Sequence, residues 1–147
     1  MGSAAPAPKC WLAYLSTTSV TGNNVCGIVG LVRPSPHRID DEALAKVRRC
    51  ADAIRHRGPD GYGEHVREGV AFAMRRLSII DLARGGQPLS NEDQSVWVSY
   101  NGEIYNHRHL RSELQSLGHR FATESDTEVI VHAYEQWGED CVHRFRG

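Results

Sequence analysis

The sequence contains no long apolar run and no excess of charge of either sign. Its 17 basic side chains oppose 18 acidic ones, which gives a formal net charge of −1. No apolar stretch approaches the roughly 20 residues needed to cross a bilayer, so we expect no membrane association. Because no basic stripe is present, we expect no nucleic acid partner either. A small neutral or zwitterionic substrate fits this composition better.

Paired cysteines of the kind that bind zinc or build a disulfide framework are also missing. Cys10, Cys26, Cys50 and Cys141 are far apart, with no CxxC pair and no His-rich spacing. We therefore predict no metal site in this chain and a reducing, cytoplasmic location. What the composition does provide is 40% hydrophobic and 24% charged residues, which is enough for one globular domain with an ordinary core.

Residues 1–25 differ in character from the rest of the chain. They are rich in Ala, Pro, Ser and Thr, and Lys9 is their only charge, so we predict a leader without a packed structure. The apolar stretch at 10–15 is too short for an ordinary secretory signal. Val25 can be encoded by GTG, which is also a bacterial start codon. A mis-annotated start and a cleaved propeptide therefore both remain open.

The residues after the leader alternate between predicted strands and predicted helices. The apolar, β-branched run 26–32 predicts a buried strand, and Asp40 is the expected N-cap of a helix that ends near His56. Further strands are predicted at 70–74, 77–80 and 95–100, a helix from Asn106 to Leu117, and a last helix with Val129, Ile130, Ala133, Tyr134 and Trp137 on its apolar face. Ser125 and Glu128 have the spacing of a capping box. This order predicts an α+β fold in which helices cover sheets.

Cys26 is the residue for which the sequence suggests the most specific catalytic role. At a true N-terminus it would carry both a thiol and an α-amine, whose reference pKa of about 7.7–8.0 suits it to take the thiol proton. In the chain as written, this nitrogen is part of a peptide bond and is not a usable base. An active form must therefore lack residues 1–25. The alternative is an inert buried thiol.

Three other features have both a structural and a chemical explanation. Asn101-Gly102 is a strong signal for a two-residue hairpin turn, yet it also offers an amide donor and an unobstructed N–H for an oxyanion. Arg76 is either a solvated side chain or a ligand for a substrate carboxylate. Asp126 is favoured at a helix N-terminus in any case, and there it would also receive a substrate ammonium. Together Arg76 and Asp126 predict a receptor for the two charged ends of an amino acid.

Five motifs occur in an order that closely resembles the class II glutamine amidotransferases. They are Cys-Gly-Ile-Val-Gly at 26–30, Arg-Gly-Pro-Asp-Gly at 57–61, Arg-Leu-Ser-Ile-Ile-Asp at 76–81, Asn-Gly-Glu-Ile-Tyr-Asn at 101–106 and Ser-Asp-Thr-Glu at 125–128. Within that family the pattern is similar to the glutaminase domain of glutamine-hydrolysing asparagine synthetases. The resemblance covers residues 26–147.

The resemblance implies an N-terminal-nucleophile fold, a four-layer αββα sandwich that is incomplete at the C-terminus. Residues 26–147 would be the N-terminal part of a glutamine amidotransferase type 2 domain. It implies that Cys26 attacks the side-chain amide of L-glutamine to form a thioester, while Asn101 and Gly102 stabilise the oxyanion. The implied substrate-binding residues are Arg76, Leu77, Ser78, Ile79, Ile80, Asn101, Gly102, Glu103 and Asp126. The products would be glutamate and ammonia.

The resemblance also implies an ammonia acceptor, a synthetase domain that is missing from this chain. ATP and Mg²⁺ would belong to that domain, so we expect no cofactor here. Many relatives carry His where Met74 stands, but the mechanism does not need that side chain. Two alternatives remain open: an inactive truncated remnant that only binds glutamine, and another class II amidotransferase.

Overall fold

The structure, a computed structural model, describes residues 26–34, 37–77 and 86–147. Within these ranges the chain forms five strands, three α-helices and two 3₁₀ segments. The strands are β1 (Gly27–Val32), β2 (Gly61–Arg67), β3 (Val70–Arg76), β4 (Leu89–Ser90) and β5 (Trp97–Val98). The α-helices are α1 (Asp41–Ala53), α2 (His107–Ser116) and α3 (Glu128–Trp137), and the 3₁₀ segments are Arg55–Arg57 and Gly138–Arg144. The predicted α+β class is confirmed.

Strand β3 lies at the centre of an antiparallel sheet with the order β1-β3-β2. Its register pairs Gly27 with Arg75 on one side and Gly61 with Arg76 on the other. Gly69 has a φ of 72° in the tight turn between β2 and β3, a conformation that glycine adopts without strain. Strands β4 and β5 form a second, two-stranded antiparallel sheet.

Helix α1 begins where the sequence predicts and covers one face of the first sheet. The Asp40 carboxylate accepts a hydrogen bond from the amide of Ala43 at 2.8 Å, so the predicted N-cap is confirmed. The buried residues of α1 recur at helical spacing and pack against small residues of β3. This cluster comprises Val47, Ala51, Ala71 and Ala73. Burial of the apolar face, rather than helix propensity alone, holds α1 on the sheet.

The other face of the first sheet contacts the second sheet and the segment after it. Because side chains alternate along a strand, Met74 lies on the face opposite to Ala73. Its Sδ accepts a hydrogen bond from the hydroxyl of Ser99 at 3.3 Å. The ring of His65 on β2 stacks on Trp97 of β5, with 3.9 Å between centroids. The two sheets are therefore in direct contact.

Helices α2 and α3 enclose a second hydrophobic core. Its buried members are Ile104, Leu110, Leu114, Val129, Ala133 and Cys141. The side chains of Ile130, Tyr134 and Trp137 pack against it while staying partly exposed. The predicted apolar face of the last helix is thus confirmed. Helix α2 ends before Gly118, which has a φ of 102° and stops the helix as predicted.

The predicted capping box at the start of α3 is wrong. The hydroxyl oxygen of Ser125 accepts from the amide of Thr127 at 3.3 Å, two residues on rather than three. The carboxylate of Glu128 does not reach back to Ser125 but accepts from the amides of Ala122 and Thr123, both at 2.7 Å. Because Glu128 is buried, these donors replace the water that its charge would otherwise need. The spacing of Ser125 and Glu128 thus predicts the position of the helix correctly but predicts the wrong hydrogen-bond partners for both side chains.

The strand predictions are correct for β1 and β3 and less accurate elsewhere. The predicted strand at 95–100 is reduced to two residues in β5, and Leu77 lies beyond the end of β3. The rest of the predicted 77–80 strand is outside the described residues. Strand β2 is not predicted, because it contains glycines, which weaken the strand signal. A side chain at Gly63 would lie 1.9 Å from the carbonyl oxygen of Gln87, so this position needs glycine.

Within the described residues, no helix combines the length and the apolar character required to cross a membrane. Residues 1–25, for which we predict an unpacked leader, lie outside the described residues. Cys26, Cys50 and Cys141 are free thiols, at half-buried, exposed and buried positions respectively.

One ion pair between α1 and β2 makes stability depend on pH. Arg48 binds the Glu64 carboxylate with its Nε at 2.9 Å, and Tyr62 donates to the same carboxylate. Hydrogen bonds from Arg48 and then Tyr62 lower the pKa of Glu64 from 4.5 to about 2. A carboxyl group with a lowered pKa stabilises the fold above its unfolded pKa, and this contribution is lost as pH falls from about 4.5 towards 2.

We expect Glu64→Gln to reduce the free energy of unfolding at pH 7 by about 1 kcal/mol, a value discounted because the Arg48 side chain is 54% exposed. The difference from the unsubstituted protein should disappear near pH 2. Urea unfolding at pH 7, 4 and 2.5 measures it. The matched control is Glu68→Gln, since Glu68 pairs with Arg38 at the surface, with 80% of its side chain exposed. An equal effect of both variants would contradict the prediction.

Candidate active site

Cys26 lies directly before β1, beside the end of β3. The amide of Leu77 donates to its Sγ at 3.3 Å, and the thiol reaches the Leu77 carbonyl oxygen at 3.6 Å. The register that pairs Gly27 with Arg75 brings Cys26 opposite Arg76. The structure therefore brings together three of the predicted site residues, which are Cys26, Arg76 and Leu77. The thiol is only half-buried, so its environment differs from that of an inert core cysteine.

The Arg-Gly-Pro-Asp-Gly motif at 57–61 supports this end of β3. A side chain on the buried Gly58 would place its Cβ 2.2 Å from the carbonyl oxygen of Arg75. The amide of Asp60 donates to the carbonyl oxygen of Arg76 at 3.1 Å. The motif is thus more than a surface turn, because its backbone packs on the strand that carries Arg76 to the thiol.

Asn101 and Gly102 lie in a loop after β5, and they do not form the hairpin turn that was the structural alternative for this pair. The next element along the chain is helix α2, not a strand. The loop is held from the start of α3, since Oδ2 of Asp126 accepts from the amide of Ile104 at 2.8 Å. The hydroxyl of Tyr100 donates to the carbonyl oxygen of Glu103 at 3.3 Å. Asp126 is 6% exposed and thus joins the predicted oxyanion loop to α3.

The C-terminal segment supports the same loop from another side. The amide of Tyr105 donates to the carbonyl oxygen of Arg146 at 2.7 Å. Asn106 donates from Nδ2 to the carbonyl oxygen of Arg144 and accepts from the amide of Arg146, both at 2.9 Å. Helix α2 begins one residue after the predicted start at Asn106, and the Asn106 side chain makes no cap hydrogen bond. It binds residues 144–146 instead.

Gln87 links the loop to α3, and nothing in its sequence spacing indicates this. Its Oε1 accepts from the amide of Tyr100 at 2.7 Å, and its Nε2 donates to Oγ1 of Thr127 at 3.2 Å. The hydrogen bonds of Gln87 and the contact between Ser99 and Met74 join the residues around Cys26 to the loop and to Asp126. The site is thus a continuous set of contacts from three distant parts of the chain. Ser78, Ile79 and Ile80 lie outside the described residues.

The carboxylates of Glu103 and Asp126 are close enough for the charge of one to affect the other. Burial raises the pKa of Glu103, and the negative charge of Asp126 raises it further. Asp126 keeps lone pairs beyond those used by Ile104 and by the hydroxyl of Thr127, which lies 3.4 Å from Oδ1. A bound cation would relieve the repulsion between the two carboxylates.

A family model described as the glutamine amidotransferase domain matches residues 25–147. The chain belongs to this family. The match includes every residue that the sequence analysis places in the site.

Curated proteins with high similarity to this chain include several glutamine-hydrolysing asparagine synthetases. The chain is 45% identical to asparagine synthetase [glutamine-hydrolyzing] 1 of Bacillus subtilis (strain 168) over 125 residues, which cover 84% of this chain and 20% of the relative. It is 44% identical over 126 residues both to asparagine synthetase 2 of Oryza sativa subsp. japonica and to the enzyme of Zea mays. These matches also cover 84% of this chain and 20% of each relative. The chain thus spans about a fifth of the length of these curated relatives.

Proposed function

We propose that this chain carries the glutaminase activity of a glutamine-hydrolysing asparagine synthetase. The proposal rests on the contacts made by Cys26 in a chain that belongs to the amidotransferase family. The thiol lies beside Leu77 and opposite Arg76, while Asp126 holds the loop with Asn101 and Gly102. The names of the relatives describe glutamine hydrolysis, which supports L-glutamine as the substrate.

In the proposed reaction, Sγ of Cys26 attacks the side-chain amide carbon of glutamine. The thiol proton passes to the α-amine of Cys26, which must be free, and from there to the departing nitrogen. The carbon–nitrogen bond then breaks, ammonia leaves and a thioester remains. Water attacks the thioester, with the same amine as its base, and the carbon–sulfur bond breaks to release glutamate. Each step moves one proton through one nitrogen.

Asn101 and Gly102 stabilise the tetrahedral intermediates in this proposal. The side-chain amide of Asn101 and the backbone N–H of Gly102 donate to the oxyanion. Such donors act best when they are already positioned before the reaction. The hydrogen bond from Ile104 to Asp126 and the contacts of Tyr105 and Asn106 with residues 144–146 supply that order.

Arg76 and Asp126 bind the two charged ends of the substrate. The planar guanidinium of Arg76 suits the α-carboxylate, and Asp126 receives the α-ammonium. The raised pKa of Glu103, caused first by burial and then by Asp126, supports a cation at this position. Among the described residues, Leu77 and residues 101–103 complete the pocket.

We extend the proposal to the architecture and to the partner. Helix α1 on one face of the first sheet, the contacts of Met74 and His65 on its other face, and the packing of α3 against β4 and β5 support an αββα sandwich. Residues 26–147 would then belong to this glutamine amidotransferase domain. The ammonia would go to a synthetase domain that uses ATP and Mg²⁺, in the cytoplasm.

Substitution of Asp126 tests the binding role. In a form that begins at Cys26, we expect Asp126→Asn to raise KM for glutamine by about 10- to 100-fold and to change kcat by less than about threefold. The asparagine side chain keeps an acceptor for the Ile104 amide but loses the charge for the ammonium. Asp126→Ala removes both, so it should lower kcat as well. Steady-state glutamate release measures each value.

Glu124→Gln is the matched control, because Glu124 lies two residues away, 84% exposed, in a surface pair with Arg111. It should leave both constants unchanged. Equal losses of kcat and kcat/KM in Asp126→Asn would mean that Asp126 acts in the transition state, which would contradict the assigned role.

A further inference from the structure

Two histidines and two carboxylates meet beside α3, outside the proposed glutaminase site. Each of Glu92, His119, His132 and Glu135 offers one ligand atom, and the four atoms lie within 4.8 Å of one another. They come from three segments: the turn after β4, the loop between α2 and α3, and α3 itself. We refer to these four residues as the two-histidine cluster.

His132 is the buried member of the cluster and lacks hydrogen-bond partners. It is 0% exposed, and neither of its ring nitrogens makes a hydrogen bond. The carboxylate oxygens that face it are Oε2 of Glu92, 3.5 Å from Nδ1, and Oε1 of Glu128, 3.6 Å from Nε2. Both distances exceed normal hydrogen-bond length. A buried polar group of this kind calls for a physical explanation.

His119 shows which of its nitrogens is available for a ligand bond. Its Nε2 lies 3.0 Å from Oε1 of Gln136, and in the tautomer in which Nε2 donates to that oxygen, Nδ1 carries no proton. The lone pair of Nδ1 then faces Oε2 of Glu135 at 3.5 Å. A lone pair that faces a carboxylate is repelled by it. A cation between the two atoms converts this repulsion into attraction.

The spacing and chemistry of the cluster fit a tetrahedral transition-metal site. Bonds of about 2.0 Å from Zn²⁺ to nitrogen or oxygen place neighbouring ligand atoms about 3.3 Å apart. The two His–Glu separations of 3.5 Å are close to this value. The longer separations, up to 4.8 Å, need only a contraction of about 1.5 Å. Imidazole and carboxylate together suit Zn²⁺ and other late first-row dications.

Further residues hold three of the four ligands in place by hydrogen bonds, as is usual around metal sites. The amide of Arg120 donates to Oε1 of Glu92 at 2.6 Å, and Nδ2 of Asn91 donates to Oε2 of Glu135 at 3.2 Å. Glu128 faces the distal nitrogen of His132, and Gln136 faces that of His119. The site is also accessible, because the side chains of Glu92 and Glu135 are each 38% exposed.

We propose that the two-histidine cluster binds one Zn²⁺ ion, or a closely similar divalent transition metal, as a structural site. The ion joins the turn after β4 and the loop before α3 to α3, the helix whose first turn follows Asp126. It takes no part in glutamine hydrolysis. The predicted absence of metal rests on the lack of sequence-local ligand pairs, whereas these ligands meet only after folding.

The test uses the 147-residue protein with Cys10, Cys26 and Cys50 replaced by alanine, so that these thiols do not compete. After removal of metal with a chelator, we expect Zn²⁺ to bind with 1:1 stoichiometry in competition with a chromophoric chelator and to raise Tm. Co²⁺ should give visible d–d absorption of tetrahedral intensity, which Zn²⁺ displaces. Glu135→Gln and His119→Ala should each weaken Zn²⁺ binding by about 100-fold or more.

The controls are Glu139→Gln and His109→Ala, which change exposed residues outside the cluster and should leave binding unchanged. His132→Ala is unsuitable because it removes a fully buried side chain, whereas the side chain of Glu135 is 38% exposed and that of His119 is 10% exposed. Failure to bind one Zn²⁺, or equal binding by the cluster variants and the controls, would overturn the proposal.

Discussion

Protein that begins at Cys26 is expected to release ammonia from L-glutamine, and protein that keeps residues 1–25 is not. In the longer form the nitrogen of Cys26 is an amide and cannot accept the thiol proton. Loss of a general base costs about 10²- to 10⁴-fold in rate. A coupled assay for ammonia and for glutamate, on both forms at equal concentration, measures the difference. Equal rates would show that the proposed base is wrong.

Two variants of the Cys26-initiated form sharpen this experiment. Cys26→Ala should reduce glutamine hydrolysis to background, because no nucleophile remains. Cys50→Ala should have no effect, since Cys50 is an exposed thiol on α1. A glutamine analogue with an electrophilic ketone in place of its amide should add once, at Cys26, as seen by intact mass. An adduct without turnover would place the defect after attack, and no adduct at Cys26 would contradict the proposed nucleophile.

Gly58→Ala is expected to destabilise the fold by about 3 kcal/mol or more. The new Cβ would lie 2.2 Å from the carbonyl oxygen of Arg75, so either the 57–61 motif or the end of β3 must move. A clash with backbone atoms cannot be relieved by a change of rotamer, as a clash with a side chain can. Urea unfolding followed by tryptophan fluorescence measures the loss. The glutaminase rate should fall with it, because the same strand leads to Arg76 and Leu77.

Gly61→Ala is the matched control from the same motif. Its Cβ would lie 3.5 Å from the Cβ of Arg76, which is an ordinary contact. We expect a change below about 1 kcal/mol, since alanine fits a strand position without strain. If the two variants were equally destabilising, the close approach at Gly58 would not be the reason that the motif contains glycine.

Elements whose signals are local could be predicted from the sequence. The Asp40 cap needs only the amide three residues on, and the apolar spacing of α1 and α3 depends on helix geometry alone. The β-branched residues of β1 are also a local signal, because they favour a strand whatever its partners are. These elements form in the structure within a few residues of their predicted bounds.

Elements whose partners are distant in sequence could not be predicted. Glu128 bonds to Ala122 and Thr123 because the loop before α3 folds back onto the helix, a tertiary arrangement that competes with the capping box. Asn101-Gly102 has the sequence of a tight turn, but Asp126 and the segment 144–146 hold the loop in another conformation. β2 depends on the approach of Gln87 to Gly63.

The same distinction applies to the candidate site. Residue types and motif order indicate Cys26, Arg76, Asn101 and Asp126, because each has a chemical role that its side chain suits. The supporting contacts of Gln87, and the second bonding role of Asp126 as an acceptor for Ile104, depend on the fold. The two-histidine cluster likewise needs three segments to meet.

The bond between the Asp126 carboxylate and the Ile104 amide gives the assembly of the site a single spectroscopic reporter. Deuterium uptake at that one nitrogen measures how often the helix and the loop separate. Opening there would displace the proposed oxyanion donors and the proposed acceptor of the substrate ammonium together. Glutamine that bridges the two elements should slow this uptake, whereas exchange in the centre of α1 should stay the same.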